Sequence, residues 1–461
     1  MVVIGAGAVG VSVARDAAAQ LGPDGGRVVL IGDGRPGGGA RLVADGGVLL
    51  ECAARGLDWR ATLAHLRTVR ATVEDRCREA ALRRDGVELL SGRARLLGSG
   101  RIEVESVHPV PGAMPVPLTG RRIVLATGDE PVLPELTGLA DTRYLTPATL
   151  LELPALPPSM VVLGGGPTGC ETAQALARFG VHVTVIETEE RLLPRESPEV
   201  SALVTQALRE DGVRVFTGSA AAKVAPTLDG GAWVGTSAGD VAAEGLLIAT
   251  GRRAAVRGLE LAAAGVTLTP AGWVRVDRHL ATAGSGVLAA GRVTGLLPHG
   301  ATDPVMARVA AINATARRPR QQWSPDGVPR VVRTLPTFAA VGVNPANARS
   351  VPGARVSDLP LGQLDRALLS DDRNGLVTLV AGPRQTPRGV RLLPRRREPG
   401  SELLGAAIVG PQAGELADLA ALALRSGMSV EQLAQAPLSS RAWGAALQHA
   451  AAGFDADTDP T

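Results

Sequence analysis

Short apolar runs, broken by small-residue turns and helix-forming stretches, recur along this chain. Met160 to Leu163 reads as a buried strand that stops at Gly164-Gly165-Gly166-Pro167-Thr168-Gly169. Helix-forming residues run from Glu171 to Phe179, and a second apolar run, Val181 to Ile186, ends on Glu187. Strand, glycine turn, helix, strand and acid in that order make a complete dinucleotide-binding unit. Gly164 allows the tight turn, Gly166 lets the backbone approach a pyrophosphate, and Gly169 lets helix and strand pack closely. The helix N-terminus adds free N–H groups for the phosphates. Glu187 falls where a carboxylate accepts both ribose hydroxyls of an adenosine.

The same pattern opens the chain. Gly5, Gly7 and Gly10 repeat the spacing of Gly164, Gly166 and Gly169 at an offset of 159 residues. A helix follows to Leu21, then the insert Pro23-Asp24-Gly25-Gly26 and a strand from Arg27 to Ile31. Either Gly32 or Asp33 stands at the end of that strand; Asp33 is the better candidate, because it alone can accept hydrogen bonds from a ribose. Each half also closes on one phrase, Ala126-Thr127-Gly128 after one strand and Ala249-Thr250-Gly251 after another. Two related nucleotide domains in tandem are therefore expected.

Around these units the pattern is coarser. Glu51 to Arg84 is helical and charged, with Leu57, Leu63, Leu66, Val69 and Val73 as a buried stripe. Val87 to Val107 reads as short strands, Leu150 to Ser159 as a proline-rich linker, and Pro298 to Ala314 as mostly helix. Pro319 to Pro329 marks a second boundary. Beyond it, strands mix with two helices, roughly Gly414 to Arg425 and Ser429 to Gln435, and the last eight residues read as frayed. The fold class is α/β, two tandem Rossmann-like domains and a C-terminal α+β domain.

Composition changes this picture little. With 45% hydrophobic and 2% aromatic residues, Ala, Val and Leu must build the core. The formal net charge is +3, and Lys223 is the single lysine, so an arginine-rich composition explains the basic balance without an anionic partner. Arg384, Arg388, Arg391, Arg395, Arg396 and Arg397 crowd one segment without aromatics. Lacking stacking residues, it reads as a solvated insertion and not as a nucleic-acid reader. Cys52, Cys77 and Cys170 lie far apart, so neither a disulfide scaffold nor a zinc site is readable. No apolar run approaches the ~20 residues of a membrane span, and the opening apolar run leads straight into a glycine turn, as a strand does and a signal peptide does not. The expectation is a soluble, cytoplasmic protein.

With these pieces placed, nearly the whole chain resembles the pyridine nucleotide–disulfide oxidoreductases, such as dihydrolipoamide dehydrogenase and mercuric reductase. Gly5-Ala6-Gly7-Ala8-Val9-Gly10 and Thr127-Gly128 are similar to the FAD fingerprint, and Val161 to Glu187 to the NAD(P)H unit. Thr282 to Gly291 resembles the return to FAD, and Leu297-Pro298-His299-Gly300-Ala301 the opening of the helix beneath the flavin. Leu404 to Glu415 resembles the signature of a dimerisation domain. The resemblance implies a discontinuous FAD domain (1–150 and 274–323), an NAD(P) domain (151–273) and a dimerisation domain (330–452). It also implies FAD, NAD(P)H and a homodimer. Glu171 corresponds to a glutamate that faces the nicotinamide; as an acid near a helix N-terminus it is equally suited to the helix dipole. His299 and Ala301 would lie at the flavin, although His299 also fits a solvated loop.

The chain departs from that family where its chemistry sits. The expected cysteine pair falls on Ala40 and Asp45 in one register and on Arg41 and Gly46 in the other, so no sulfur remains. The lysine that would pair Glu171 falls on Leu49 or Leu50, and the C-terminal His and Glu are replaced in Ala436-Pro437-Leu438-Ser439-Ser440-Arg441. Disulfide reduction needs a thiolate and a base, and both are missing. Gly291-Arg292 stands where the family has Gly-Asp against the ribityl chain. That loses a charged hydrogen bond of ~1.5–3 kcal/mol, while a guanidinium at Arg292 suits the pyrophosphate. Pro167 occupies the position of a gating aromatic, so the nicotinamide approach is ungated. The leading expectation is a cysteine-less NAD(P)H oxidoreductase, NADH favoured through Glu187, passing electrons from flavin to a small acceptor such as a quinone. The alternative is a pseudoenzyme that keeps the dimeric scaffold.

Overall fold

The computed structural model describes residues 1–22, 25–34, 36–37, 46–98, 100–107, 114–296, 304–383, 401–439 and 441–456. Ala40, Arg41, Asp45, His299, Ala301 and the arginine-rich segment lie outside these residues.

The N-terminal half is built on a parallel five-stranded sheet. Its order is Val287–Ala289, Ile123–Leu125, Val2–Ile4, Val28–Gly32, Val87–Ser91. The central strand is buried on both faces, which is why it reads as a continuous apolar run and not an alternating one. The helices Ala8–Leu21 and Pro304–Thr315 cover one face. An antiparallel sheet, Arg93–Gly98, Arg101–Glu105 and Val116–Thr119, covers the other. The late strand Val287–Ala289 returns to this sheet from beyond the second unit.

The second unit repeats the design. A parallel sheet runs Arg214–Phe216, His182–Ile186, Ser159–Leu163, Gly245–Ile248. The helices Pro167–Arg178 and Pro198–Glu210 cover one face, and a three-stranded antiparallel sheet, Ala221–Pro226, Ala232–Thr236 and Val241–Ala243, covers the other. The nucleotide helix starts at Pro167, four residues before the expected Glu171. A proline at the first helical position lacks only an N–H that has no intrahelical partner.

The third part is an antiparallel five-stranded sheet in the order Arg330–Val332, Thr337–Gly342, Glu402–Gly410, Leu376–Gly382, Arg355–Pro360. Among the described residues three helices, besides the short Asp365–Ser370, join the core on one face where two were expected: Ala413–Arg425, Val430–Ala434 and Ala445–Ala456. The third is a run of small residues around Leu447 and Phe454, with no strong amphipathic stripe to announce it. The opposite face, through Phe338, Ala340, Ala407 and Val409, shares a core with the helices Gly46–Ala54 and Pro167–Arg178. The proline-rich stretch before Ser159 joins the two units and is half exposed. Leu153 and Leu156 pack on that core, and Trp59 donates its indole N–H to the Leu153 carbonyl at 3.0 Å. Among the described residues no helix is long and apolar enough to cross a membrane.

Candidate functional site

A cavity of about 2610 Å³ runs along the C-terminal ends of both parallel sheets. Gly5, Gly7, Asp33, Thr127, Gly128, Gly164, Gly166, Glu171, Glu187, Gly251, Gly291 and Arg292 all line it. Residues from two halves of the chain thus meet in one space, at the end of α/β sheets where ligands bind.

Each glycine turn is fixed by the ATG turn beside it. Gly5 (φ +110°) would place a Cβ 2.3 Å from the Ala126 carbonyl oxygen, and Gly164 (φ +106°) one 2.5 Å from that of Ala249. Gly10 and Gly169 lie deeper; a Cβ there would meet the carbonyl oxygens of Gly5 and Gly164 at 1.8 and 1.9 Å. Gly7 and Gly166 differ, since a Cβ at either meets nothing within 4 Å. Both are helix N-caps without a side-chain cap, so the first N–H groups of each helix are left for an anion.

The acids divide by environment. A Cβ at Gly32 would sit 2.4 Å from the Ala6 Cβ, and the next residue, Asp33, lines the cavity. Asp33 is exposed, with Arg93 Nε at 3.6 Å. Glu187 is fixed instead. Its Oε2 accepts the Gly165 N–H at 2.6 Å and its Oε1 accepts the Glu189 N–H at 2.9 Å. Each oxygen keeps a second lone pair for a ribose hydroxyl. Arg191 is turned to the Pro194 and Glu196 carbonyls at 3.3 and 3.4 Å.

Glu171 lines the cavity and is buried, yet its Oε1 accepts the backbone N–H of Arg333 from the C-terminal part at 2.7 Å. One helical turn on, the fully buried Gln174 accepts from the Leu335 N–H at 2.9 Å and donates to the Leu335 carbonyl at 2.7 Å. Nothing in the residue pattern marks Gln174, because its partner is backbone 161 residues away. Glu196 is also bound across this boundary, by Arg330 at 3.0 Å through both carboxylate oxygens.

Arg292 is not isolated in the cavity. Its Nε lies 3.7 Å from Asp129 Oδ1, and Arg252 Nε lies 2.6 Å from Asp129 Oδ2. Sequence reasoning misses Asp129 and Arg252, although a signal exists. They directly follow the two ATG phrases, opposite charges at the same place in the repeat.

None of the three cysteines lines the cavity, and all three are free and buried. Burial, then the charges of Glu171 and Glu187, pushes the Cys170 thiol far above its usual range. Burial also raises that of Cys52. Among the described residues no His, Cys, Asp and Glu cluster is arranged to hold a metal.

Residues 1–315 match the pyridine nucleotide-disulphide oxidoreductase family, and residues 328–440 match that family's dimerisation domain. The chain belongs to this family. Its members use FAD and NAD(P)H. The mercuric reductase of Bacillus cereus is 31% identical over 386 residues, covering 81% of this chain and 56% of that protein. The chain thus spans little more than half the length of that relative. The dihydrolipoyl dehydrogenase of Thermus scotoductus is 33% identical over 360 residues, 76% of this chain and 72% of that protein. The crystal structure of LpdA from Mycobacterium tuberculosis superposes with a TM-score of 0.83 at 28% identity, covering 98% of this chain and 99% of that one.

The residues present fit the family's flavin dinucleotide. The Thr127 hydroxyl is buried without a hydrogen-bond partner, a state that costs about 1–3 kcal/mol unless a ligand atom meets it. The same cavity is lined by the side-chain-free Gly7, the uncapped N-terminus of the first helix.

Proposed function

We propose that this protein is a flavin-dependent NAD(P)H oxidoreductase that passes electrons from FAD directly to a small acceptor such as a quinone, without a redox-active disulfide. The observation that carries this reading is that, among the described residues, no cysteine lines the cavity. A thiol relay needs an accessible thiolate, and the three cysteines are buried elsewhere. The same absence argues against a mercuric reductase activity, because soft metal ions call for thiolate ligands.

Gly5, Gly7, Gly10, Thr127 and Gly128 would hold FAD, which supplies hydride acceptance when bound. Gly164, Gly166, Gly169, Gly251 and Glu187 would hold the nicotinamide nucleotide. Glu187 favours NADH, since a 2′-phosphate would face a fixed carboxylate, and Arg191 is engaged by two carbonyls. We assign the protein to the cytoplasm as a homodimer, formed through residues 328–440.

The test is anaerobic reduction of the flavin-loaded protein with excess NADH, followed by turnover with menadione. Loss of flavin absorbance near 450 nm, menadione reduction and inactivity toward lipoamide and glutathione disulfide are expected. A bound flavin that NADH fails to bleach would leave a nucleotide-binding scaffold without catalysis.

A further inference from the structure

Among the described residues Trp273 is the one aromatic side chain that lines the cavity. It stands at the end of a tight hairpin. Its carbonyl accepts the Thr269 N–H at 2.7 Å, and its own backbone N–H donates to the Thr269 hydroxyl at 3.2 Å. Gly295 packs on the indole: a Cβ there would lie 2.4 Å from Cγ and 2.7 Å from Cδ1, so only glycine leaves room for the ring. The ring is partly buried against an apolar cluster of the first unit. Its indole N–H has no acceptor among the described residues and is not shut away from solvent. Trp59, by contrast, commits its indole N–H to the Leu153 carbonyl. A rigid aromatic side chain with an uncommitted donor on a cavity wall suits a flat ligand that carries an oxygen acceptor.

The wall around Trp273 is apolar. The hairpin lies against the segment after the second ATG turn, since a Cβ at Gly272 would stand 3.8 Å from that of Arg253. Leu259 packs in the same cluster as Trp273, and Ala255, Ala271 and the 37% exposed Leu296 also line the cavity. This recess adjoins Gly128, which would hold FAD: the Ala255 N–H donates to the Gly128 carbonyl at 3.1 Å. We propose that the recess is the acceptor site, where a naphthoquinone stacks on Trp273 and one of its carbonyl oxygens accepts the indole N–H. Trp273 binds and orients the acceptor and moves no proton. NADH supplies a hydride equivalent and solvent the second proton, so quinone, NADH and H⁺ give hydroquinone and NAD⁺. This proposal rests on the reading that electrons pass from flavin directly to a quinone. The two fail differently: a wild-type protein that reduces no quinone sinks that reading, whereas quinone reduction indifferent to Trp273 sinks only the site.

The experiment is steady-state turnover of the flavin-loaded protein with NADH and either menadione or ferricyanide, an inorganic oxidant with no ring to stack. Trp273→Phe keeps a ring and loses the donor, and should raise KM for menadione roughly twofold to tenfold. Trp273→Leu loses both and should raise it roughly tenfold or more. Neither change should move kcat, flavin content or the ferricyanide rate. The proposal is overturned if Trp273→Leu leaves KM for menadione within twofold of wild type. It is equally overturned if the ferricyanide rate falls as far, or if flavin is lost, since the ring would then serve the fold or the cofactor. Should the wild-type protein turn over no quinone, equilibrium dialysis with menadione still decides the site. Weaker binding by Trp273→Leu keeps it, and equal binding by the two proteins removes it.

Discussion

The Glu171 carboxylate accepts the backbone N–H of Arg333 at 2.7 Å, tying the nucleotide helix to the C-terminal part of the chain. Gln174 does the same for both backbone groups of Leu335. Two side chains one helical turn apart therefore stand in for a β-strand partner along residues 333–335. A residue whose oxygen is committed this way is a docking residue first, which sets a limit on any role as an acid or base.

Glu171→Gln keeps an acceptor oxygen for the Arg333 N–H. Turnover with NADH should stay within about threefold of wild type, whereas loss of a true general acid–base costs about 10²–10⁴-fold. A hundredfold fall in kcat with unchanged stability would restore the catalytic assignment. Gln174→Ala removes the partner of two part-buried backbone groups at the exposed Leu335 and should lower unfolding free energy by about 1–2 kcal/mol, read from the urea midpoint at constant slope.

The glycines of each turn should separate into two classes. Gly7→Val and Gly166→Val add a side chain in open space, so both proteins should fold with near-normal melting temperatures. Gly7→Val should then emerge colourless, and Gly166→Val should carry flavin that NADH cannot reduce. Gly10→Ala and Gly169→Ala would drive a Cβ to within 1.8 and 1.9 Å of a carbonyl oxygen, and should fail at expression. Soluble, flavin-loaded Gly10→Ala protein would contradict the assigned packing.

Both nucleotide units are legible in the sequence because their constraints are local. A strand, a turn whose first and last glycines tolerate no Cβ and a helix all lie within about thirty residues. Even the pairing of GxGxxG with ATG is written there, since the alanine carbonyl of the second closes on the first glycine of the first. What escapes is made by distant contacts. Asp129 acquires meaning only opposite Arg252 and Arg292. The Leu150–Ser159 stretch reads as a linker, and its anchoring by Trp59 is not written in it. The helix Ala445–Ala456 is small-residue throughout, and packing, not periodicity, settles its place.

The cysteines should be inert in the folded protein. Cys170 is fully buried with its Sγ donating to the Gly165 carbonyl at 3.3 Å, and its thiol is held protonated. Reactivity requires the thiolate, so alkylation at pH 8 should modify none of the three thiols and leave turnover unchanged. Denaturation should expose all three. Inactivation in proportion to native alkylation would place a thiol in the reaction.

Glu431 should make the C-terminal part sensitive to acid. Burial pushes its carboxyl up. Hydrogen bonds from Ser429 and from the Glu431 and Ser401 backbone, with the Arg355 charge, more than reverse this and leave it below the usual value. A depressed folded value stabilises above the unfolded pKa of about 4.3, and the effect is lost as pH falls through the lower folded value. Glu431→Gln should therefore melt below wild type at pH 7, and the two should converge as the pH falls through that lower value. A gap that persists in acid would assign the loss to packing.

Glu187 decides the choice of nucleotide. Its carboxylate is pinned by the Gly165 and Glu189 N–H groups at 2.6 and 2.9 Å, so it cannot swing away from an approaching 2′-phosphate. Arg191, four residues along the chain, is engaged by the Pro194 and Glu196 carbonyls. A phosphate dianion beside a fixed carboxylate at partial burial costs on the order of 1–3 kcal/mol, about tenfold or more in affinity. NADH should therefore show a kcat/KM at least tenfold above NADPH. Glu187→Gln removes the charge and keeps a carbonyl oxygen for one of the two loop N–H groups, so it should bring NADPH closer to parity while costing NADH less than tenfold. The gap should also shrink at high salt, where the repulsion is screened. Preference for NADPH in the wild-type protein would mean that Arg191 leaves its carbonyls when a phosphate arrives, and that Glu187 serves the turn instead of the ribose.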